Sequence, residues 1–323
     1  MRKTLHMLTG LAALILSAAA VSQDAYPSRP IRLVVPYAPG GVSDITGRIV
    51  AQKMSELLGQ PMVVENRAGA GGMLGTGAVA KSPPDGYTIV LSSLSAYAIG
   101  PKLVKQPLYD PVADFTPVAA VALSPTILTI NTALPFKSLR ELIEFGKANP
   151  GKLSYGSSGI GSVAHISAEM LRASTGIELV HIPYKSAALA YPDMISGNVS
   201  MVFDALPSAI QHIKTGKARP LAMMSDRRTS LVPEVPTFAE AGYPEATLRL
   251  WVGLHGPAGL PAPIVQKLND IAAKAVATPE VRERFTAVGA DAYSVSPREF
   301  AEMVRADVER LGKMMASAGI KGE

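Results

Sequence analysis

Short apolar runs rich in Val, Ile and Leu alternate with segments of helical periodicity along most of the chain. The run "IRLVVP" precedes an amphipathic segment near residues 43 to 58, "MVVEN" precedes a segment that begins in "AGAGGMLGTGAVAKS", and "YTIVLS" precedes residues 96 to 105. Such an alternation is typical of βαβ units, so we predict an α/β fold with a parallel sheet covered by helices.

A long apolar run, "FTPVAAVALSPTILTINT", interrupts this alternation around Ser124 and Pro125. We interpret it as a strand that leaves one domain and enters another. The alternation then restarts and predicts a second α/β unit, with strands in "LSYGSS", "IELVHIPY", "VSMVFD" and "RPLAMMS" and helices near 138 to 148, 162 to 175, 187 to 197 and 205 to 215.

The stretch "LRLWVGLHGPAGLP" has the pattern of a return crossing to the first unit. Three helices are predicted after it, near 262 to 277, 279 to 288 and 297 to 317, and we expect them to pack on the first domain. The predicted domains are therefore 27–124 with 252–323, and 125–251. Two α/β domains joined by two crossing strands form a clamshell that can close by a hinge around a ligand.

The N-terminus differs from the rest of the chain. Arg2 and Lys3 precede the apolar run "GLAALILSAAAV", which is followed by small residues suited to cleavage after Ala20 or Ser22. This is the pattern of a secretory signal peptide over residues 1–22. The run of about 12 apolar residues is shorter than the ~20 that span a bilayer, so we favour cleavage over anchoring and expect a periplasmic protein.

Composition excludes several classes of site. The chain has no cysteine, which rules out lipid attachment at cysteine, disulfides and thiolate chemistry. The five histidines show neither HxxxH nor HxH spacing, so no metal site is expected. The net charge of +5 comes from basic residues spread along the chain, which argues against nucleic-acid binding and is compatible with small anionic ligands. A single Trp makes a sugar-stacking platform improbable, and no cofactor is expected.

The stretch "VVPYAPGGVSD" leads from a strand into a helix through a short loop with few side chains, and we call such a strand-to-helix loop a corner. Pro39, Gly40 and Gly41 leave backbone N–H groups uncovered, and the helix that begins near Ser43 adds unpaired donors and the positive end of its dipole. An anion would be favoured there. The alternative is a tight turn in which Ser43 or Asp44 caps the helix.

A matching corner, "YGSSGIGSVAH", follows a strand in the second unit. Gly159 and Gly161 expose the backbone, and Ser157, Ser158 and Ser162 supply hydroxyl groups. The two corners together predict two anion sites facing one cleft. The second corner also fits the dinucleotide pattern G-x-G-x-x-A, but the next strand lacks the acidic residue that would bind a ribose, so a nucleotide is disfavoured.

Two further side chains could face the cleft. His165 lies one helical turn beyond Ser162, and its alternative role is interior or capping. Asp204 ends the strand "VSMVFD", where it could accept from a ligand hydroxyl or ammonium or could cap the next helix. An exported hydrolase using Ser157, His165 and Asp204 is the alternative function, although the elbow G-x-S-x-G is absent.

Several motifs resemble the Bug-type, or tripartite tricarboxylate transporter, solute-binding proteins: "YPSRPIRLVVPYAPGGVSD", "GQPMVVENRAGAGGMLGTGAVAKSPPDGYTIVLSS", "YDPVADFTPVA", "YGSSGIGSVAHISAEM", "HIPYK", "GNVSMVFD" and "EVPTFAEAGYP". The resemblance implies a two-lobed periplasmic binding protein, type II-like, without enzymatic activity. It implies a small carboxylate ligand, such as a di- or tricarboxylate, an acidic amino acid or an aromatic acid, captured for uptake or sensing. The implied partners are membrane subunits of such a transporter or a sensor protein, and the receptor is expected to be a monomer.

The resemblance also assigns roles to individual residues. Residues 37 to 44 match the first carboxylate loop and residues 157 to 165 the second. Ser186 and "AALAYP" depart from the family pattern, where a glycine is frequent, and the added hydroxyl and bulk would favour an aromatic or substituted acid. The predicted ligand-binding residues are Tyr37, Pro39, Gly40, Gly41, Asp44, Ser92, Ser93, Ser157, Gly161, Ser162, His165, Lys185, Ser186 and Asp204.

Overall fold

A computed structural model of the chain describes residues 26–37, 39, 42–157, 159, 162–184, 187–225, 227–248, 250–317 and 320. The predicted signal peptide over residues 1–22 lies outside these ranges. Five of the predicted ligand-binding residues also lie outside the described residues: Gly40, Gly41, Gly161, Lys185 and Ser186.

The described strands form two sheets, one for each lobe. The first sheet has the spatial order β11 (Asp291–Ala292), β4 (Phe115–Leu123), β10 (Trp251–Pro257), β3 (Thr88–Ser93), β1 (Ile31–Val35) and β2 (Met62–Asn66). The second sheet has the order β7 (Leu179–Pro183), β6 (Leu153–Ser157), β8 (Met201–Ala205), β5 (Thr126–Asn131) and β9 (Ala218–Met224).

Helices connect the strands and cover the sheets. The α-helices are α1 (Val42–Leu58), α2 (Met73–Ala80), α3 (Leu139–Ala148), α4 (Val163–Thr175), α5 (Tyr191–Ser196), α6 (Leu206–Lys214), α7 (Ala262–Ala277), α8 (Pro279–Ala287) and α9 (Pro297–Ser317). Short 3₁₀ turns lie at Ala70–Gly72, Gly100–Leu103, Ala187–Ala190 and Pro244–Ala246, and a π-helical turn lies at Ser95–Ile99. As predicted, the C-terminal helices pack on the first sheet, where α7 and α9 contact β4.

The two-lobed α/β architecture is confirmed, and each sheet combines the predicted parallel pairs with antiparallel ones. In the first sheet β10 runs antiparallel to both of its neighbours, β3 and β4. In the second sheet β5 runs antiparallel to β8 and β9. β10 and β5 are the strands by which the chain enters a lobe from the other one, so their direction is set by the crossing and not by a βαβ connection. The short strand β11 also runs antiparallel to its neighbour β4.

The run interpreted as one crossing strand is two strands, β4 and β5, which belong to different sheets. The break falls at Ser124 and Pro125, because proline has no N–H to continue a ladder. Ser124 N–H instead donates to Leu250 O at 2.8 Å, so the outgoing and returning crossings are hydrogen-bonded to each other. The domain boundaries drawn from the sequence stay a prediction.

The strand register determines which edge of each sheet lies beside the crossings. In the first sheet, Ser93 at the carboxyl end of β3 pairs with Val252, one residue after β10 begins. In the second sheet, Ala205 at the carboxyl end of β8 pairs with Thr126, where β5 begins. Since β1 is parallel to β3 and β6 is parallel to β8, the carboxyl ends of β1 and β6 both lie on the crossing side.

Among the helices of the described residues, none combines the length and the apolar character needed to cross a bilayer.

Candidate functional site

The first corner, between β1 and α1, is built around a buried carboxylate. Asp44 lies in the first turn of α1 and is 3% exposed. Arg48 Nε donates to both of its carboxylate oxygens at 3.1 Å, and Asn66 Nδ2 donates to Oδ1 at 2.8 Å. Arg48 Nη2 also reaches Asn66 Oδ1 at 2.9 Å, which closes a three-residue network. Asp44 therefore positions the corner, and contact with a ligand stays a prediction.

Asn66 and Tyr37 connect this network to the loop. Asn66 Nδ2 donates to Tyr37 O at 3.0 Å, which fixes the backbone where the loop begins. The Tyr37 and Ser93 hydroxyls are 2.7 Å apart, and burial raises the pKa of Tyr37, so its hydroxyl stays neutral. Gly72 has a φ of +96°, and a Cβ there would lie 3.1 Å from the Tyr37 ring. A glycine at this position lets the ring pack over the start of α2.

Other predicted residues of the first lobe have different surroundings. Ser92 is fully buried, with its hydroxyl 3.2 Å from Thr76 Oγ1 on α2, and it supports the packing of that helix against β3. Pro39 is exposed on the loop. The structure thus brings Tyr37, Ser93 and Asp44 to one corner and turns Ser92 into the interior behind it.

The second corner, between β6 and α4, is organised around a hydroxyl. Ser157 is fully buried at the end of β6, and its Oγ lies 2.6 Å from His181 Nε2. Gly159 N–H donates to the same oxygen at 3.0 Å, which forms a tight turn in the loop. Ser162 caps α4 and accepts from His165 N–H at 3.2 Å. In this corner, hydroxyl groups hold the backbone in place.

A stack of aromatic rings packs next to Ser157 and supports the second corner. The imidazoles of His165 and His181 lie 4.5 Å apart and are inclined by 6°, and His181 stacks on Tyr155 at 4.8 Å. Burial lowers the pKa of His165 and of His181, and the neighbouring imidazole lowers the pKa of His181 further. Glu169 opposes both shifts, and its carboxylate is bound by Arg172 Nε at 2.7 Å. The stack is therefore neutral near pH 7.

Close backbone packing allows this arrangement. Gly156 precedes Ser157 in β6, and a Cβ on it would lie 2.4 Å from the Cβ of Ala190. The absence of a side chain lets the 3₁₀ turn at Ala187–Ala190 lie directly on the strand.

Asp204 is the second-to-last residue of β8, on the crossing side of the second sheet, and it pairs with Ile127 of β5. Its Oδ1 accepts from Ala205 N–H at 2.8 Å, while Oδ2 is buried and has no hydrogen-bond partner among the described residues. Burial raises the pKa of Asp204, against the opposite effects of Ser208 and the Ala205 N–H. Contact between Asp204 and a ligand stays a prediction.

The hydrogen bonds of Ser157, His165 and Asp204 do not form the catalytic triad that the alternative function, a hydrolase, would need. The hydroxyl of Ser157 pairs with His181 and not with His165. The Asp204 carboxylate accepts hydrogen bonds from the Ala205 N–H, at the end of β8, and from the Ser208 side chain, at the start of α6. Within the described residues, Ser157, His165 and Asp204 form no relay of hydrogen bonds.

Sequence reasoning missed three residues that position the corners: Arg48, Asn66 and His181. Asn66 and His181 share one signal that could have found them. Each lies at the end of a strand, β2 or β7, that runs parallel to the strand carrying the corner. Polar residues at the ends of parallel neighbours meet at the same edge of a sheet, where ligands bind.

Residues 46–320 match the sequence profile described as "Tripartite tricarboxylate transporter family receptor". BugT of Bordetella pertussis is 38% identical over 305 residues, covering 94% of this chain and 94% of BugT.

Two solved structures with ligands are similar throughout. A Rhodopseudomonas palustris protein, Rpa4515 with adipate, has a TM-score of 0.77 at 34% identity and covers 92% of this chain and 100% of its own. MatC of the same organism, with bound malate, has a TM-score of 0.73 at 32% identity and covers 90% and 99%.

Proposed function

The chain belongs to the tripartite tricarboxylate transporter receptor family, and on this premise we propose that it captures a small dicarboxylate between its two strand-to-helix corners. It is a periplasmic solute-binding receptor with the two-lobed fold of its relatives. One carboxylate of the ligand binds the first corner and the other binds the second.

The observation that carries this proposal is the strand register. The carboxyl ends of β1 and β6 lie at the sheet edges beside the two crossings. A strand-to-helix corner follows each of these strands. In α/β sheets this is the edge where ligands bind, and helix N-termini favour anions there. Adipate and malate, the acids in the similar structures, carry two carboxylates each.

The corners contribute through backbone and hydroxyl donors more than through cations. Within the described residues, the charged groups at the first corner, Asp44 and Arg48, already bind one another. We therefore assign ligand contact to Tyr37 and Ser93 on the first side and to Ser157 and Ser162 on the second. Backbone donors of the intervening loops, at Gly40, Gly41 and Gly161, complete the proposed site.

Asp204 adds selectivity for the body of the ligand. Its Oδ2 is buried and has no hydrogen-bond partner among the described residues, so a ligand that reaches it gains by supplying a hydroxyl or ammonium group. Malate should then gain affinity over succinate, its analogue without the hydroxyl, and Asp204→Ala should remove that difference. Equal preference for the two acids in the wild-type protein would contradict this role.

A thermal-shift screen of the mature protein against mono- and dicarboxylates of graded chain length tests the function. A dicarboxylate at 100 times its dissociation constant should stabilise the fold by about 2.7 kcal/mol. The matching monocarboxylates should bind far more weakly, because buried donors left unpaired cost about 1–3 kcal/mol each. If monocarboxylates bind as tightly as their dicarboxylate analogues, the two-corner site is wrong.

Closure and delivery complete the proposal. The lobes close by hinge motion at the two crossings, so scattering should report a smaller radius of gyration at saturating dicarboxylate. An unchanged radius would mean that the receptor is closed before it binds. The closed monomer then delivers the acid to membrane subunits of a tripartite tricarboxylate transporter or to a sensor protein.

A further inference from the structure

The Ser157 hydroxyl has more neighbours than one proton can serve. Its Oγ accepts from Gly159 N–H at 3.0 Å, lies 2.6 Å from His181 Nε2 and donates to Gly159 O at 3.3 Å. The Gly159 N–H can only donate, so it occupies one lone pair of Oγ. The protonation of His181 Nε2 then decides where the hydroxyl proton of Ser157 points.

Two arrangements are possible at the short contact. If Nε2 carries no proton, the Ser157 hydroxyl donates to it, and Oγ can offer an incoming carboxylate only lone pairs. If Nε2 carries a proton, it donates to Oγ, and the Ser157 proton can donate to Gly159 O, 3.3 Å away, or to an incoming carboxylate. Only the second arrangement makes Ser157 a hydrogen-bond donor to an anion.

We propose that His181 is a positioning residue of the second corner, which donates from Nε2 to Ser157 and thereby directs the Ser157 hydroxyl toward a bound carboxylate. This inference deepens the proposed function and rests on it. The imidazolium form of His181 also holds a proton on Nε2 and so keeps this arrangement. The negative charge of a bound carboxylate favours that charged form, so carboxylate binding and proton uptake are linked.

The surroundings of the imidazole limit this uptake to one proton. His165 on α4 stacks on His181 at 4.5 Å, so two imidazolium charges would repel strongly. Glu169, also on α4, favours the charged form, and Arg172 partly offsets it by binding that carboxylate. Tyr155 on β6 supplies a neutral ring face. Binding of an acid adds negative charge above the pair and shifts it toward the singly protonated state.

The first experiment needs no ligand. Long-range proton–nitrogen NMR of the mature protein at pH 7.5 reports which ring nitrogen of His181 is protonated, with assignment from His181→Gln. We expect the Nε2–H form, and we expect its nitrogen shifts to change in Ser157→Ala. A proton found on Nδ1, with Nε2 bare, overturns the inference whatever the protein binds.

The second experiment measures binding of adipate and of malate by calorimetry between pH 5.5 and 8, in two buffers of different ionisation enthalpy. The wild-type protein should take up a fraction of a proton that grows toward low pH. His181→Gln keeps a permanent donor in place of Nε2, so it should bind within about threefold of wild type at pH 7.5 and lose the proton uptake. His181→Phe keeps the stacked ring without the donor and should lose at least tenfold in affinity.

The outcomes distinguish a positioning role of His181 from a purely structural role. A purely structural role predicts that Phe restores binding better than Gln, and that result overturns the positioning role. Unchanged proton uptake in His181→Gln overturns it as well. If neither acid binds the wild-type protein, the proposed function fails for these acids, and the tautomer measurement alone decides the role of His181. Thermal melting of each variant establishes that it is folded before binding is measured.

Discussion

The two corners have similar sequences, yet different chemistry holds each one in place. At the first corner an ionised side chain, Asp44, is bound by Arg48 and Asn66. At the second corner two imidazoles, His165 and His181, are stacked beneath a serine hydroxyl and are kept neutral by burial. A charge already paired is insensitive to pH near neutrality, whereas an imidazole is the side chain that titrates there. We therefore expect the first corner to fix geometry and the second to sense protons.

The largest effect should come from the first corner. Asp44→Ala leaves Arg48 and Asn66 without their shared acceptor. We expect a loss of about 3 kcal/mol in the free energy of unfolding. This is the low end of the range for a broken buried ion pair, because Arg48 is half exposed. Urea unfolding measures it. The matched control is Glu309→Ala, which removes an exposed pair with Lys313 and should cost less than about 0.5 kcal/mol. Equal costs for both variants would mean that the network does not support the corner.

The pH dependence of stability should also differ between the lobes, because the first lobe contains a buried histidine away from its corner. His255 is fully buried in the first lobe and is stacked on Tyr97 at 4.1 Å, and burial lowers its pKa to about 3. The unfolded chain binds a proton near pH 6.5 and the folded chain does not, so stability falls as pH drops from about 6.5 toward 3. This one group should account for a loss of roughly 2–3 kcal/mol in the free energy of unfolding at pH 4.5.

The measurement for His255 is urea unfolding at pH 7.0 and pH 4.5 for wild type and His255→Phe. The carboxylates contribute equally to both proteins, so the difference between the two losses isolates the imidazole. The control is His212→Phe, at a partly exposed ring stacked on Tyr191, which should change the pH dependence much less. Identical acid losses in wild type and His255→Phe would refute the assignment.

Close packing at the second corner should produce the next effect. Gly156→Ala places a Cβ 2.4 Å from Ala190, and we expect a cost of about 2 kcal/mol as the 3₁₀ turn moves off the strand. Adipate binding should weaken too, because Ser157 is the next residue. Gly312→Ala, inside helix α9 with only the flexible end of Lys102 nearby, is the control and should be neutral or stabilising. A Gly156→Ala variant as stable as this control would show that the turn can adapt.

The smallest effect should come from the hydroxyl pair at the first corner. Tyr37→Phe removes the 2.7 Å contact with Ser93 and should cost about 1 kcal/mol of stability. Ligand affinity should fall to a similar extent and equally at pH 6 and pH 8, because burial raises the pKa of Tyr37 and the hydroxyl does not titrate there. Affinity loss confined to one of these pH values would contradict the contrast between the corners.

The sequence by itself determined the local elements and the family. The apolar pattern of the chain predicted α7 and α9 with the bounds that the structure has, because helical periodicity acts within a few residues. Motifs spread over the chain predicted the two-lobed receptor, and the family match confirms it. The break at Ser124 and Pro125 was visible for the same local reason, although it was interpreted as lying within one strand.

Tertiary structure alone decided the partners. Asp44 meets Asn66 only because β1 and β2 pair in parallel, and Ser157 meets His181 only because β6 and β7 do. The direction of β5 and β10 likewise depends on which sheet each crossing strand joins. These contacts join residues far apart in the chain, and strand register sets them, so no local pattern encodes them. The chemistry of each corner, an ion pair in one and an imidazole stack in the other, is therefore a property of the folded sheet edge.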